Sequence, residues 1–291
     1  MYYTDGFVNN NLDGLYHEAA NEILAYGETV TARGLTFKEL RFQHLILTDP
    51  RNRIITNKER KASKRFMAAE FILMMGSNPW IADIAFYNKH MLKFSDDGIS
   101  LHGAYGPRLR HWGQPQVDFD QIQDCLRRLK EDIFTRQAVI VILDPGIDFT
   151  VKTKDIPCNN LLQFMYREGR LDLACYVRSN DLFLGFPYDV FHWTMLQEIF
   201  ATALKVKLGH YHHIVGSFHI YDNNIEQMEK IVAEKLIVPD PMKPMPEITS
   251  LKILDALKYV EEKYRETGYF INKTEEPLPE WWAEFAEWLK K

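Results

Sequence analysis

Cysteine is scarce, with three residues in 291, Cys125, Cys158 and Cys175. An odd number at wide spacing excludes a disulfide framework and fits a reducing compartment, so a cytoplasmic protein is expected. No apolar run reaches the length of a membrane span, and Met1-Tyr2-Tyr3-Thr4-Asp5 lacks the basic-then-apolar order of an export signal. Basic residues are outnumbered, 35 Lys and Arg against 40 Asp and Glu, for a net charge of −5. That balance argues against a general nucleic-acid face, while leaving room for a small phosphate pocket. His210, His212, His213 and His219 cluster, but no acid or cysteine stands at ligand spacing from them, so no metal is expected. Internal repeats and low-complexity stretches are also missing. What remains is an ordinary globular balance, 46% hydrophobic and 26% charged, long enough for one large domain or two small ones.

Periodicity and punctuation give a mixed α/β order. A helix is predicted over Asp13 to Tyr26, a loop over Thr31 to Leu35, and a strand over Leu40 to Leu47. Lys58 to Met75 reads as a helix stopped by Gly76, and Trp80 to Asn88 as a shorter one. Phe119 to Lys130 is helical, with Cys125 as packing, and Ala138 to Leu143 is a buried strand. Leu161 to Tyr166 and Leu171 to Arg178 form a hairpin turning at Glu168-Gly169, with Cys175 in the core. Helices follow over Val190 to Leu208 and Asn223 to Leu236. After the proline-rich connection Pro239 to Pro246 come two more, Leu251 to Tyr264 and the aromatic Glu280 to Leu289. That last helix either packs on its own chain or presents a partner surface. The expected domains are residues 1–246 and a helical extension, 247–291, packed on them.

The stretch from Pro157 to Tyr221 carries the chemistry. It contains Pro157-Cys158-Asn159, then Arg178-Ser179-Asn180-Asp181, then Gly185-Phe186-Pro187-Tyr188-Asp189, and ends Gly216-Ser217-Phe218-His219-Ile220-Tyr221. Taken separately, each piece has a plain structural reading: a strand-end salt bridge for Arg178, a core pair for His219 and Tyr221. Together, in this order, they resemble the thymidylate synthase superfamily. The Arg-Ser-Asn-Asp and Gly-Phe-x-x-Asp pieces are similar to its deoxycytidylate and cytidylate hydroxymethylase branch. The resemblance covers about residues 30 to 225. It implies a large mixed sheet flanked by helices, one sheet face forming a homodimer interface, and 5,10-methylenetetrahydrofolate as co-substrate for a pyrimidine nucleoside monophosphate.

The resemblance assigns roles residue by residue. Cys158 adds to position 6 of the ring, which makes position 5 nucleophilic, and a nearby arginine such as Arg178 favours the thiolate. Arg178 and Ser179 hold the 5′-phosphate, with Arg33 from the early loop and Arg136 crossing from the partner subunit. Gln137 stands where the family has a second crossing arginine. Asn180 supports its turn, and Asp181 and Gly185 lie on the folate side. His219 and Tyr221, two apart on one strand, reach the sugar hydroxyl. Glu70, followed by Gly76, orders the water network, and Tyr105 in His102-Gly103-Ala104-Tyr105-Gly106 lies beside the thiol. Met91 and Phe94 replace the tryptophans of the synthases.

Asp189 discriminates between substrates. Uracil-binding members have Asn here; a carboxyl sharing a proton with N3 and accepting from the 4-amino group suits cytosine. Its structural reading is a cap for a helix starting at Val190. The implied activity is C5 hydroxymethylation of dCMP, with deoxyribose against ribose left open. Thymidylate synthesis or dUMP hydroxymethylation is the enzymatic alternative, and an inactive nucleotide-binding member is the non-enzymatic one.

Overall fold

The computed structural model describes residues 6–113, 119–237, 240–270 and 277–290. The N-terminal segment Met1 to Asp5 and the start of the proline-rich connection at Pro239 therefore lie outside the described residues. The chain divides into two compact units, Met1–Ala62 with Cys158–Pro244, and Ser63–Pro157 with Met245–Lys291. The described strands, in chain order, are β1 (Phe7–Asn9), β2 (Glu28–Ala32), β3 (Leu35–Leu47), β4 (Val139–Val141), β5 (Asn159–Arg167), β6 (Arg170–Asp181) and β7 (Lys207–Tyr221).

The first unit holds a mixed sheet in the order β1-β3-β7-β6-β5, with β2 paired to β3. β6 and β7 run parallel, while β3–β7, β5–β6 and β2–β3 are antiparallel. Alternation decides which side of each strand is inside. On β7, Tyr211, His213 and Val215 are buried, whereas His212 and Ile214 between them are half-buried. Both hairpins turn where two consecutive residues have positive φ, Arg33-Gly34 at 52° and 78° and Glu168-Gly169 at 50° and 79°. The loop expected at Thr31 to Leu35 is thus the tip of the β2–β3 hairpin. β3 begins at Leu35 because Lys38, Glu39 and Arg41, paired to β2 or β7, interrupt the apolar pattern but not the ladder.

Helix Phe186–Leu204 packs on β6 and β7, and Phe200 stacks on Phe164 of β5 at 4.3 Å. It starts before Val190, with Pro187 in its first turn, where a missing N–H costs nothing. No side chain caps it. The cap reading of Asp189 is therefore wrong: Asp189 is already inside the first turn. Helices Leu12–Tyr26 and Asp222–Ala233 pack on each other and on β3 and β7.

In the second unit, helix Lys64–Met75 is buried along nearly its whole length. Helices Ile81–Tyr87, Tyr105–Arg110 and Lys252–Thr267 pack around it. Gly106 allows a close approach: a Cβ there would lie 2.7 Å from the Met74 carbonyl oxygen. The aromatic helix Glu280–Ala286 buries Trp282 and Phe285, and Phe285 meets Phe71 edge-on at 5.9 Å. Arg65 Nε also donates to the Leu289 carbonyl at 2.9 Å. Phe285→Ala is expected to destabilise the unit by about 3–5 kcal/mol, as for other buried Phe truncations. Chemical denaturation measures it; a loss below about 1 kcal/mol would mean the helix does not pack there.

Candidate active site

The sheet of the first unit brings together residues far apart in sequence. Parallel pairing of β6 with β7 sets Ser179 beside Ser217 and Asp181 beside His219, and antiparallel pairing of β3 sets Glu39 beside His219 and Phe37 beside Tyr221. Cys158 precedes β5; its carbonyl accepts from the Arg178 backbone N–H at 2.9 Å. The Arg178 guanidinium Nη2 stands 3.6 Å from Cys158 Sγ. Cys158 is half-buried and unoxidised, whereas Cys125 and Cys175 are buried.

His219 is buried, T-stacked with Tyr221 at 4.9 Å and tilted against Phe37 at 5.0 Å. Ser217 Oγ donates to Glu39 and stands 3.3 Å from His219 Nδ1. Burial lowers the His219 pKa, with the Arg33 cation acting in the same direction and the Ser217 carbonyl and Glu39 opposing it. Tyr221 is shifted up, first by burial, then by the charges of Asp181 and Cys158 against that of Arg33. Arg33, at the tip of the β2–β3 hairpin, thus shares one electrostatic neighbourhood with Cys158, Asp181, His219 and Tyr221.

At the C-terminal end of β6 the chain turns sharply into helix Phe186–Leu204. Asp181 Oδ1 accepts from the backbone N–H groups of Phe183 and Leu184 and so fixes the turn. Burial raises its pKa to about 6, against those two N–H groups and the Arg60 cation. Arg60 lies over the Phe183 ring at 4.8 Å. Gly185 packs close to two side chains: a Cβ there would sit 3.2 Å from Asn180 Nδ2, which would have to give slightly, and 3.9 Å from Asp189 Oδ2.

Those two atoms belong to the central contact of the site. Asp189 Oδ1 accepts from Asn159 Nδ2 at 3.0 Å, and Oδ2 from Asn180 Nδ2 at 2.7 Å. Burial raises the carboxyl to about pKa 6, and the two amide N–H groups hold it from rising further. Asn159 Oδ1 in turn accepts from the Trp193 indole at 3.2 Å and from Cys175 Sγ at 3.1 Å. Asn180 Oδ1 meets His213 Nε2 at 2.9 Å, and His213 Nδ1 meets the Tyr211 hydroxyl at 2.9 Å. Asn180, expected to support its own turn, links Asp189 across that turn to His213.

Three sequence-selected residues belong to the second unit. Glu70 is the half-buried position among buried neighbours on helix Lys64–Met75. Tyr105 is the first residue of helix Tyr105–Arg110, also half-buried. Arg136 is exposed on the segment before β4. Among the described residues, no group of His, Cys, Asp and Glu is placed to hold a metal, and no helix is long and apolar enough to cross a membrane.

The sequence model of the thymidylate synthase family matches residues 14–263. The chain belongs to the thymidylate synthase family. Three phage proteins named deoxyuridylate hydroxymethyltransferase are similar to it. That of Bacillus phage SP01 is 36% identical over 215 residues, 71% of this chain and 56% of the relative. That of Delftia phage PhiW-14 is 32% identical over 225 residues, 73% and 60%, and that of Pseudomonas phage M6 is 32% identical over 202 residues, 66% and 56%. The chain therefore spans between 56% and 60% of the length of these relatives.

Within this thymidylate synthase family member, motif reading did not reach Asn159, Trp193, Tyr211 or the role of His213. One signal was present: Tyr211, His213 and Val215 alternate on β7, and two polar residues on the buried side of a strand require partners. His213 had been grouped with His210 and His212, but the latter are on the half-exposed face, where His212 Nδ1 lies 3.1 Å from His44 Nε2.

The raised Asp189 carboxyl has a consequence for stability. A folded pKa near 6 against the ordinary 3.8 favours the protonated form in the native state. The associated stability is full below about pH 4 and is lost as pH rises through about 6. The stability of wild type relative to Asp189→Asn should thus fall between about pH 4 and 7, by up to about 3 kcal/mol. Denaturant titrations of both proteins across that range measure it. A pH-independent difference would mean the carboxyl is not shifted.

Proposed function

We propose that this chain transfers a one-carbon unit to C5 of a pyrimidine nucleoside monophosphate and releases the hydroxymethyl product, with dCMP as substrate. The observation that carries the base assignment is the Asp189 carboxyl, held by two amide N–H groups with a pKa of about 6. Each oxygen keeps a further lone pair, which suits a ring edge offering an amino group and a protonatable N3. Uracil presents N3–H and a carbonyl, and a carboxylate facing that carbonyl is repelled. The names of the phage relatives favour a second reading, hydroxymethylation of dUMP.

In this proposal Cys158 forms the S–C6 bond as a thiolate, favoured by the guanidinium beside its sulfur. The C5–C6 π electrons move toward C5, and Asp189 supplies the proton that N3 gains. 5,10-Methylenetetrahydrofolate is the co-substrate and supplies the carbon; Asp181 and Gly185 are assigned to its side of the site. Arg178, Ser179 and Arg33 hold the phosphate, and His219 and Tyr221 the sugar. Tyr105 is assigned to the thiol, and Glu70 to the water that adds to the exocyclic methylene after the C5 proton is lost and tetrahydrofolate leaves; elimination of the Cys158 thiolate from C6 then releases the product.

We assign residues 1–246 to catalysis and 247–291 to the helical extension. We assign a homodimer with the half-exposed sheet face as its interface, where Leu161, Met165, Ala174, Ile46 and Ile214 lie among His44, His212 and Gln163, the mixed composition of a non-obligate interface. Three free cysteines suit the cytoplasm.

Incubation with methylenetetrahydrofolate and dCMP, CMP or dUMP, with products weighed by mass spectrometry, tests the activity. The hydroxymethyl nucleotide of cytosine is expected. Methylation without oxygen would assign a synthase, and no product from any nucleotide would leave an inactive binder. Cys158→Ser should abolish turnover and retain nucleotide affinity; near-normal turnover would exclude the covalent step. Arg136→Ala should weaken nucleotide binding, and mixing it with Cys158→Ser should restore part of the activity, because one composite site regains both groups. No rescue in confirmed heterodimers would place Arg136 outside the partner's site.

A further inference from the structure

The hydrogen bonds behind Asp189 have a direction, and it differs on its two sides. An ionised carboxylate only accepts, so Asn159 and Asn180 must both present Nδ2 to it. On the Asn159 side this orientation is locked. The Trp193 indole N–H can only donate, so the oxygen of Asn159 must face Trp193. On the Asn180 side nothing is locked by chemistry. Asn180 Oδ1 faces His213 Nε2, which must then carry the ring proton, because burial pushes the His213 pKa down to about 3 and the imidazole is neutral. Nδ1 is left bare and accepts from the Tyr211 hydroxyl. Every member of this second chain, amide, imidazole and phenol, can both donate and accept.

We propose that Tyr211, His213 and Asn180 form an invertible positioning relay that matches its polarity to residue 189. When position 189 is a carboxylate, the relay donates to it. When Asp189 is protonated in the nucleotide-free site, the proton lies on Oδ2 and donates to Asn180 Oδ1. The Asn180 amide turns, its Nδ2 donates to a bare His213 Nε2, and the ring proton is held on Nδ1 and donated to the Tyr211 oxygen. The Tyr211 hydroxyl then turns to Cys175 Sγ, with which it shares a hydrogen bond. Only Asp189 gains a proton; His213 is neutral in both states and exchanges tautomers. The titratable groups that feel the Asp189 charge, Cys175 on β6 and Tyr211 on β7, are kept neutral by burial, so neither competes for that proton.

This deepens the reading of Asp189 as the base-facing acid and rests on it for its importance in catalysis. A carboxyl that must hold and release a proton at N3 needs neighbours that tolerate both forms. A pair of fixed donors would penalise the protonated form by placing N–H against O–H. One fixed and one invertible neighbour orient the carboxyl without fixing its charge. The same asymmetry specifies how an amide would sit at 189: oxygen toward Asn159, nitrogen toward Asn180, with the relay inverted.

The test uses ligand-free protein, so failure of the relay and failure of the cytosine assignment are separate results. Long-range proton–nitrogen NMR of the histidine rings reports the tautomer. At about pH 8, roughly two units above the Asp189 carboxyl, wild-type His213 should be protonated on Nε2. In Asp189→Asn at the same pH it should be protonated on Nδ1. The same tautomer in both proteins overturns the proposal. Wild type supplies a second measurement: His213 should pass from Nε2–H at about pH 8 to Nδ1–H below about pH 5, with its midpoint at the Asp189 titration near 6. A tautomer that does not change with pH also overturns it. Should wild type prefer dUMP while the tautomer still inverts, the relay stands and the cytosine reading falls.

Discussion

The site depends on one carboxyl kept in a place that disfavours its charge. Asp189 has lost most of its water, and what offsets that loss is one amide N–H on each oxygen. The result is a carboxyl poised near neutrality rather than one ionised outright. Much of the surrounding sequence serves this arrangement. Gly185 leaves room for the Asn180 amide, the Trp193 indole holds the Asn159 oxygen, and His213, paired opposite Cys175 on β6, reaches Asn180 through its side chain. None of these residues needs to touch a nucleotide. Each limits the orientations of the Asp189 carboxyl, the group proposed to meet the base.

The electrostatics on the other side of the site differ. There a cation lies beside a sulfur, and His219 and Tyr221 are both shifted by burial toward their neutral forms. Neutral donors and acceptors suit a sugar hydroxyl, and cations suit a phosphate. The division between a charged end and a neutral, finely oriented end follows the chemistry of a nucleotide, whose phosphate demands charge and whose base demands direction.

How much of this was legible in the sequence depended on whether function sits in a motif or in a register. Cys158, Arg178, Ser179, Asp189, His219 and Tyr221 lie in short ordered pieces, and their type and order were enough to suggest the family. Helix Phe186–Leu204 is legible as apolar, but the expected start at Val190 falls after the true first turn, which Pro187 occupies. That misplacement created the cap reading of Asp189. The Asn180–His213 contact was out of reach, since it requires knowing that β6 and β7 are parallel neighbours and which residues of each face inward. His213 looked like one of a histidine cluster because adjacency in sequence hides the alternation of a strand.

The central claim is that Asp189 selects the base. The most direct measurement is the ratio of kcat/KM for dCMP over dUMP in wild type and in Asp189→Asn. The account predicts a wild-type ratio above one that falls tenfold to a hundredfold in the variant, on the order of the 1–3 kcal/mol carried by one matched buried hydrogen bond. A wild type that already prefers dUMP, or a ratio that does not move, would contradict it.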